Sequence, residues 1–216
     1  MHSRLTEHVR SDSEIWLRWT ISNAIGFGVA TLLLVASISA SEALRGPSQP
    51  QVLSLVSFLP YALIGFAVGV AQGIALPSVM KANEWVIATG VGWVLGTGIV
   101  AMVPLTSEVM IGNIPLNSLL TVILVAATSI GLLQWAILRR RVLRAWVWIV
   151  ANPVSWVAGW LINGPVELQL RRVVGAWVPW ALVWDGLAGV FAGVVVGGLT
   201  GAILVWLLRR PRANAQ

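Results

Sequence analysis

Two side-chain amides, Gln72 and Gln134, are the polar groups of this chain best placed to do chemistry. Each stands three residues after a glycine and four before a leucine, as Gly69–x–x–Gln72–x–x–x–Leu76 and Gly131–x–x–Gln134–x–x–x–Leu138, inside long apolar runs. A side-chain amide carries two N–H donors and a carbonyl oxygen with two lone pairs. Such a pair can line a path for a polar solute, or it can tie neighbouring helices together. In hydrocarbon an unpaired amide costs roughly several kcal/mol, so each must find partners. A second matched pair, Asn23 and Asn152, stands four residues after Trp19 and Trp148, with Thr89 four residues after Trp85. Asn152 precedes Pro153, which has no N–H and frees a carbonyl one turn upstream. A freed carbonyl beside an amide can hold a cation or a polar headgroup, or neighbouring groups can satisfy both. One carboxylate falls in each predicted outer loop: Glu42, Glu108 and Glu167. Three such acids make either a ring that concentrates cations or three solvated loop residues.

Other chemistry is poorly provided for. There is no cysteine, and the only histidines are His2 and His8. Thiolate nucleophiles, thiolate metal sites and intramembrane histidine ligation are therefore excluded, and no metal site is expected. Asp185 is the single acid near a predicted span, and one aspartate without a base does not make a nucleophilic site. No glycine-rich loop has the strand–loop–helix context of a phosphate cradle. The expectation is a protein that is not an enzyme, with no cofactor named by the sequence.

The elements that must hold these groups are helices in a membrane. Of 216 residues, 57% are hydrophobic and 10% charged, against about 25% charged in a soluble domain, and mean hydropathy is +0.84. Apolar run length and flanking charge predict six spans near 19–40, 53–76, 85–105, 116–138, 147–163 and 181–208, flanked by tails 1–18 and 209–216. The fold class is an all-α polytopic bundle. The tail 1–18 mixes Leu5, Val9, Ile15 and Trp16 with charges and reads as an interfacial helix. The stretch 164–180 is amphipathic at helical spacing and reads as a helix on the outer surface.

A repeat organises the spans. After each Gly–x–x–Gln segment come Ala82–x–x–Trp85, Ala88, Trp93 and Gly96, or Ala145–x–x–Trp148, Ala151, Trp156 and Gly159. Fainter copies stand at the two ends: Trp19, Asn23 and Phe27, and Gly201–Leu204–Leu208–Arg209. In that register Leu204 takes the place of the glutamine. A period of this length marks a copied supersecondary unit, here two helices covering about 19–76, 85–138 and 147–208. Each unit crosses twice, so all three run the same way, which permits a pseudo-threefold axis along the membrane normal. Small residues recur every fourth position on the returning helices: Gly65, Gly69 and Gly73, then Ala127 and Gly131, then Gly189, Gly193, Gly197 and Gly201. Residues four apart share a helix face, and small side chains let helices approach closely where lipid removes any hydrophobic drive. These glycines read as packing positions. Trp93 and Trp156, about 12 Å into their helices, read as packing residues too.

Charge gives the orientation. Eleven of the 14 Lys and Arg residues fall on the side that carries both tails, the 77–84 loop and the 139–146 loop. Loops rich in Lys and Arg stay in the cytoplasm, so both termini are expected inside a bacterial inner membrane. The net charge of +6 is thus a topology signal and does not imply nucleic acid. Arg139, Arg140, Arg141 and Arg144 form a cluster suited to anionic lipid headgroups at the cytoplasmic face. The bilayer, such lipids and membrane-protein partner subunits are the expected partners.

The segment Gly131–Leu–Leu–Gln134–Trp135–Ala–Ile–Leu138–Arg139, followed by Ala145–x–x–Trp148, resembles a group of uncharacterised six-span bacterial membrane proteins from cyanobacteria and Chloroflexota. The likeness covers roughly 65–160. Residue 73 is Gly where that motif prefers Trp, and the last copy lacks the glutamine. The resemblance implies an integral membrane protein and no particular activity. Two functions are therefore expected to compete. One is a membrane-embedded scaffold, accessory subunit or binder of a lipophilic ligand. The other is a small-solute transporter or channel with a polar site made of Gln72, Gln134, Asn23 and Asn152.

Overall fold

The computed structural model describes residues 11–44, 55–76, 80–102, 110–111, 114–174 and 178–210, and side chains for 11–37, 62–76, 80–100, 120–164 and 183–210. Six helices account for nearly all of it: α1 (Asp12–Leu44), α2 (Leu55–Ala75), α3 (Ala82–Met102), α4 (Leu116–Leu138), α5 (Val147–Val174) and α6 (Val178–Leu208). A two-stranded antiparallel ribbon, β1 (Met110–Ile111) and β2 (Ile114–Pro115), lies between α3 and α4. A chain this apolar satisfies its backbone internally, which in lipid leaves helices or closed barrels.

Among the described residues, three helical stretches are long and apolar enough to cross a membrane: Asp12–Ser37, Leu120–Leu138 and Val183–Leu208. A shorter apolar stretch covers Ala62–Ala75. Helices α3 and α5 carry Trp85, Thr89, Trp93 and Thr97, and Trp148, Asn152, Pro153 and Trp156. Most of these residues are buried among other helices.

Two boundaries differ from expectation. Helix α1 begins at Asp12, so residues 12–18 run straight into the first predicted span. Its start is capped by Ser11 Oγ, which accepts the Glu14 N–H at 3.2 Å, with Asp12 and Glu14 in the positive first turn. Helix α5 continues through Gly164–Pro165 to Val174. The predicted outer surface helix over 164–180 is therefore the last turns of α5, and α6 starts at Val178. Proline there removes one backbone donor but does not end the helix.

Each helix packs on its neighbours in sequence, and α6 packs back on α1. The six form a closed ring. Glycines sit at the crossings. A Cβ on Gly69 would lie 3.1 Å from Val86 Cα of α3, and one on Gly131 would lie 3.4 Å from Ile149 Cα of α5. Between α6 and α1, a Cβ on Gly193 would lie 2.7 Å from Ala24 Cα, and one on Gly197 would lie 3.0 Å from Thr20 Cα. Gly65 faces Trp93, Gly73 faces Val86 and Ala82, Gly189 faces Phe27 and Thr31, and Gly201 faces Trp16 and Trp19. The core has two layers. One gathers Trp19, Trp85 and Trp148 with Leu76, Leu138, Val142 and Leu204 at the end that carries both described chain ends. The other gathers Ala30, Ile64, Val68, Trp93, Ala126 and Ile130, with Phe27 and Trp156 packed against it.

Candidate functional site

Trp19, Trp85 and Trp148 come one from each odd helix and meet inside the ring. Their centroids are 5.6, 5.7 and 6.0 Å apart, and all three pairs are edge-to-face. Such pairs contribute about 0.5–1.5 kcal/mol each beyond area burial. All three indoles are essentially inaccessible, so each N–H needs a partner. Each finds it on the even helix that precedes it around the ring. Trp85 donates to Gln72 Oε1 at 2.9 Å, Trp148 to Gln134 Oε1 at 2.8 Å, and Trp19 to Thr200 Oγ1 at 2.9 Å.

An indole only donates. Each glutamine must therefore turn its oxygen toward its tryptophan and its NH₂ inward. Gln72 Nε2 donates to Asn23 Oδ1 at 2.9 Å. Gln134 Nε2 donates to Thr89 Oγ1 at 2.9 Å and to Gln72 Oε1 at 3.2 Å. Asn152 Nδ2 donates to Gln134 Oε1 at 3.0 Å, and Asn23 Nδ2 to the Trp19 carbonyl at 2.9 Å. Thr89 and Thr200 pass their own hydroxyl protons to the Trp85 and Val196 carbonyls. The result is one directed chain, Asn152 to Gln134 to Gln72 to Asn23, crossing from α5 to α1. Gln72, Gln134, Asn23, Asn152, Thr89 and Thr200 are all buried, and none of their fully enclosed polar atoms lacks a partner.

The four predicted amides thus converge, and Thr89 joins them. The residue that sequence reasoning misses is Thr200. Leu204 does not stand where a glutamine would; it packs with Leu76 and Leu138 in the apolar cluster beneath the tryptophans. Gly197–x–x–Thr200–x–x–x–Leu204 has the same spacing as Gly69–x–x–Gln72–x–x–x–Leu76. The glycines at 189, 193, 197 and 201 repeat every four residues, so the stripe reads equally well in several registers. Only the Trp19 bond chooses among them.

The second aromatic layer lies about two turns further along, eight residues on in each helix. Trp156 stacks on Phe27 at 4.8 Å and on Trp93 at 5.7 Å, as packing residues do. Beyond it the satisfaction breaks down: Asn163 Oδ1 and Trp184 Nε1 are buried without partners. Asp185, expected near the headgroups, is buried and is engaged by a partner. The three acids expected in the outer loops divide between helix and undescribed chain. Glu42 and Glu167 fall within α1 and α5, and Glu108 lies outside the described residues.

The arginine cluster occupies the turn between α4 and α5. Val142 plugs the Trp layer, and Leu143 N–H donates to the Arg210 carbonyl at 2.9 Å, which pins the turn to the end of α6. Arg144 has φ 57°, the left-handed region, at a cost of about 1–2 kcal/mol for a residue with a Cβ. Arg139 lies over the Trp135 ring at 4.9 Å. Arg139, Arg140 and Arg144 line a cavity of about 520 Å³ together with Trp135, Ala145 and Trp146. Arg141 does not line it. Among the described residues no metal-binding group of acids or histidines is found.

Comparison with protein families, curated proteins and solved structures finds no match. The functional reading therefore rests on the geometry.

Proposed function

We propose that this chain is a non-enzymatic, multi-pass protein of a bacterial inner membrane, serving as a membrane-embedded scaffold, accessory subunit or binder of a lipophilic ligand. In this reading all six helices cross the bilayer as three parallel two-helix units about a pseudo-threefold axis, with both termini in the cytoplasm. Three observations support the repeat: the three tryptophans in mutual contact, their three matched N–H acceptors, and the closed helix order. The exposed side chains support the setting. Ile21, Ile25, Ile74, Val150, Val154 and Phe191 face outward, where lipid receives them without cost. The resemblance to six-span bacterial membrane proteins points the same way.

One observation carries the choice of scaffold over channel. The amides that would make a polar path donate to and accept from one another, and are buried. A solute would have to displace several hydrogen bonds, each of about 0.6–2 kcal/mol, to pass between them. The test exploits the absence of native cysteine. Thr89→Cys is a near-isosteric change inside the network. In membranes it is expected to resist small charged thiol reagents, while Ser11→Cys reacts from the cytoplasmic side. Labelling of Thr89→Cys as fast as Ser11→Cys would mean that water reaches the amides, and would favour transport.

A further inference from the structure

The arginine cavity has a neighbour. Between α3 and α4 runs an open apolar groove of about 460 Å³, lined by Ile87, Val91, Leu133, Ala136 and Ile137 and closed at one end by Glu84 and Arg140. Arg140 lines both spaces. One is cationic and walled by indoles; the other is apolar and runs along the outer face of two helices.

We infer that the two spaces together form a binding site for one anionic phospholipid, its phosphate held by Arg139, Arg140 and Arg144 and one acyl chain lying in the α3–α4 groove. The inference rests on the membrane reading above and names the ligand class that reading left open. Charge argues for it. None of the three guanidinium groups has a carboxylate partner among the described ion pairs. Glu84, the acid at the groove mouth, is already paired with Lys81 at 3.2 Å. Guanidinium forks match phosphate oxygens in geometry as well as charge. Trp135 and Trp146 supply amphipathic walls of the kind favoured at headgroup depth. The strained turn argues for it too. Arg144 keeps a backbone conformation that glycine would take more easily, at the rim of the only described loop carrying four arginines. A backbone outlier of this kind is a motive for a functional test.

The test uses purified full-length protein in mild detergent, with native mass spectrometry after incubation with equal amounts of dioleoyl phosphatidylglycerol and dioleoyl phosphatidylcholine. Retention of the anionic lipid over the zwitterionic one is expected at about fivefold or more. The preference should vanish in Arg139→Gln/Arg140→Gln/Arg144→Gln, whose changed side chains are exposed. Val91→Trp, which fills the groove, should lower retention of both lipids. Equal retention of the two lipids, or a preference that survives the triple change, would overturn the site. Displacement of the lipid by millimolar inorganic phosphate would overturn the acyl-chain half and leave a phosphate site. These outcomes are separable from the membrane reading. Cysteines at Arg141 and Glu108 that label from the same side of the membrane would defeat the six-span layout, whatever the lipid preference.

Discussion

The two aromatic layers differ in what their rings must do besides pack. The layer of Trp19, Trp85 and Trp148 has three indoles, three edge-to-face contacts and three N–H bonds to preceding helices. The layer of Phe27, Trp93 and Trp156 replaces one indole with a phenyl and stacks at tilted angles. In the first layer a directional bond fixes each ring, so every position answers to its counterparts. In the second, Phe27 has no N–H to place, and the rings meet at tilted angles. The three donors of the first layer are identical in type, and the layer in which one ring carries no donor is not.

That contrast can be broken experimentally. The largest effect is expected from Gln134→Leu. It strands Trp148 Nε1, Asn152 Nδ2 and Thr89 together, and should cost about 3 kcal/mol of stability, read as a shift in the denaturant midpoint in mixed micelles. Thr200→Val comes next. It keeps the shape but leaves the Trp19 N–H buried and unpaired, for a loss of about 1–2 kcal/mol. A loss near zero would show that Trp19 finds another acceptor and that the third position is not equivalent to the glutamines. The smallest and sharpest comparison pairs Trp148→Phe with Trp156→Phe. Both remove the same indole volume, but only the first removes a hydrogen bond, so it should exceed the second by about 1 kcal/mol. Equal losses would erase the distinction between the layers.

Much of the first layer is legible in the sequence. The Gly–x–x–Gln spacing puts a small residue and an amide near one face, and a tryptophan followed four residues later by Asn or Thr does the same on the facing helix. Two things are not legible. The register of α6 is hidden because its glycine stripe has the period of the helix itself, and because threonine does not resemble glutamine until a tryptophan is seen to need an acceptor. The cavity at 139–146 is hidden because it depends on a positive φ at Arg144 and on a bond from Leu143 to Arg210, 67 residues away. Four arginines in a row of six residues announce charge; they do not announce a shaped space beside an apolar groove. The long run of α5 through Pro165 was obscured by a Gly–Pro pair that ordinarily marks a boundary.

Closure of the ring also has a history. The α1–α6 seam joins the first described helix to the last, and its glycines bring Thr20, Asn23 and Ala24 backbone against α6. Until α6 is synthesised, Trp19 has no Thr200, and one flank of α1 stands uncovered. The other five contacts can form as the chain emerges, each between neighbours in sequence. The final step is the most non-local, and non-local contacts form slowly. Before the seam closes, the six helices are an open horseshoe whose two free edges, on α1 and α6, are complementary, and an edge that waits for its own chain can meet the edge of another.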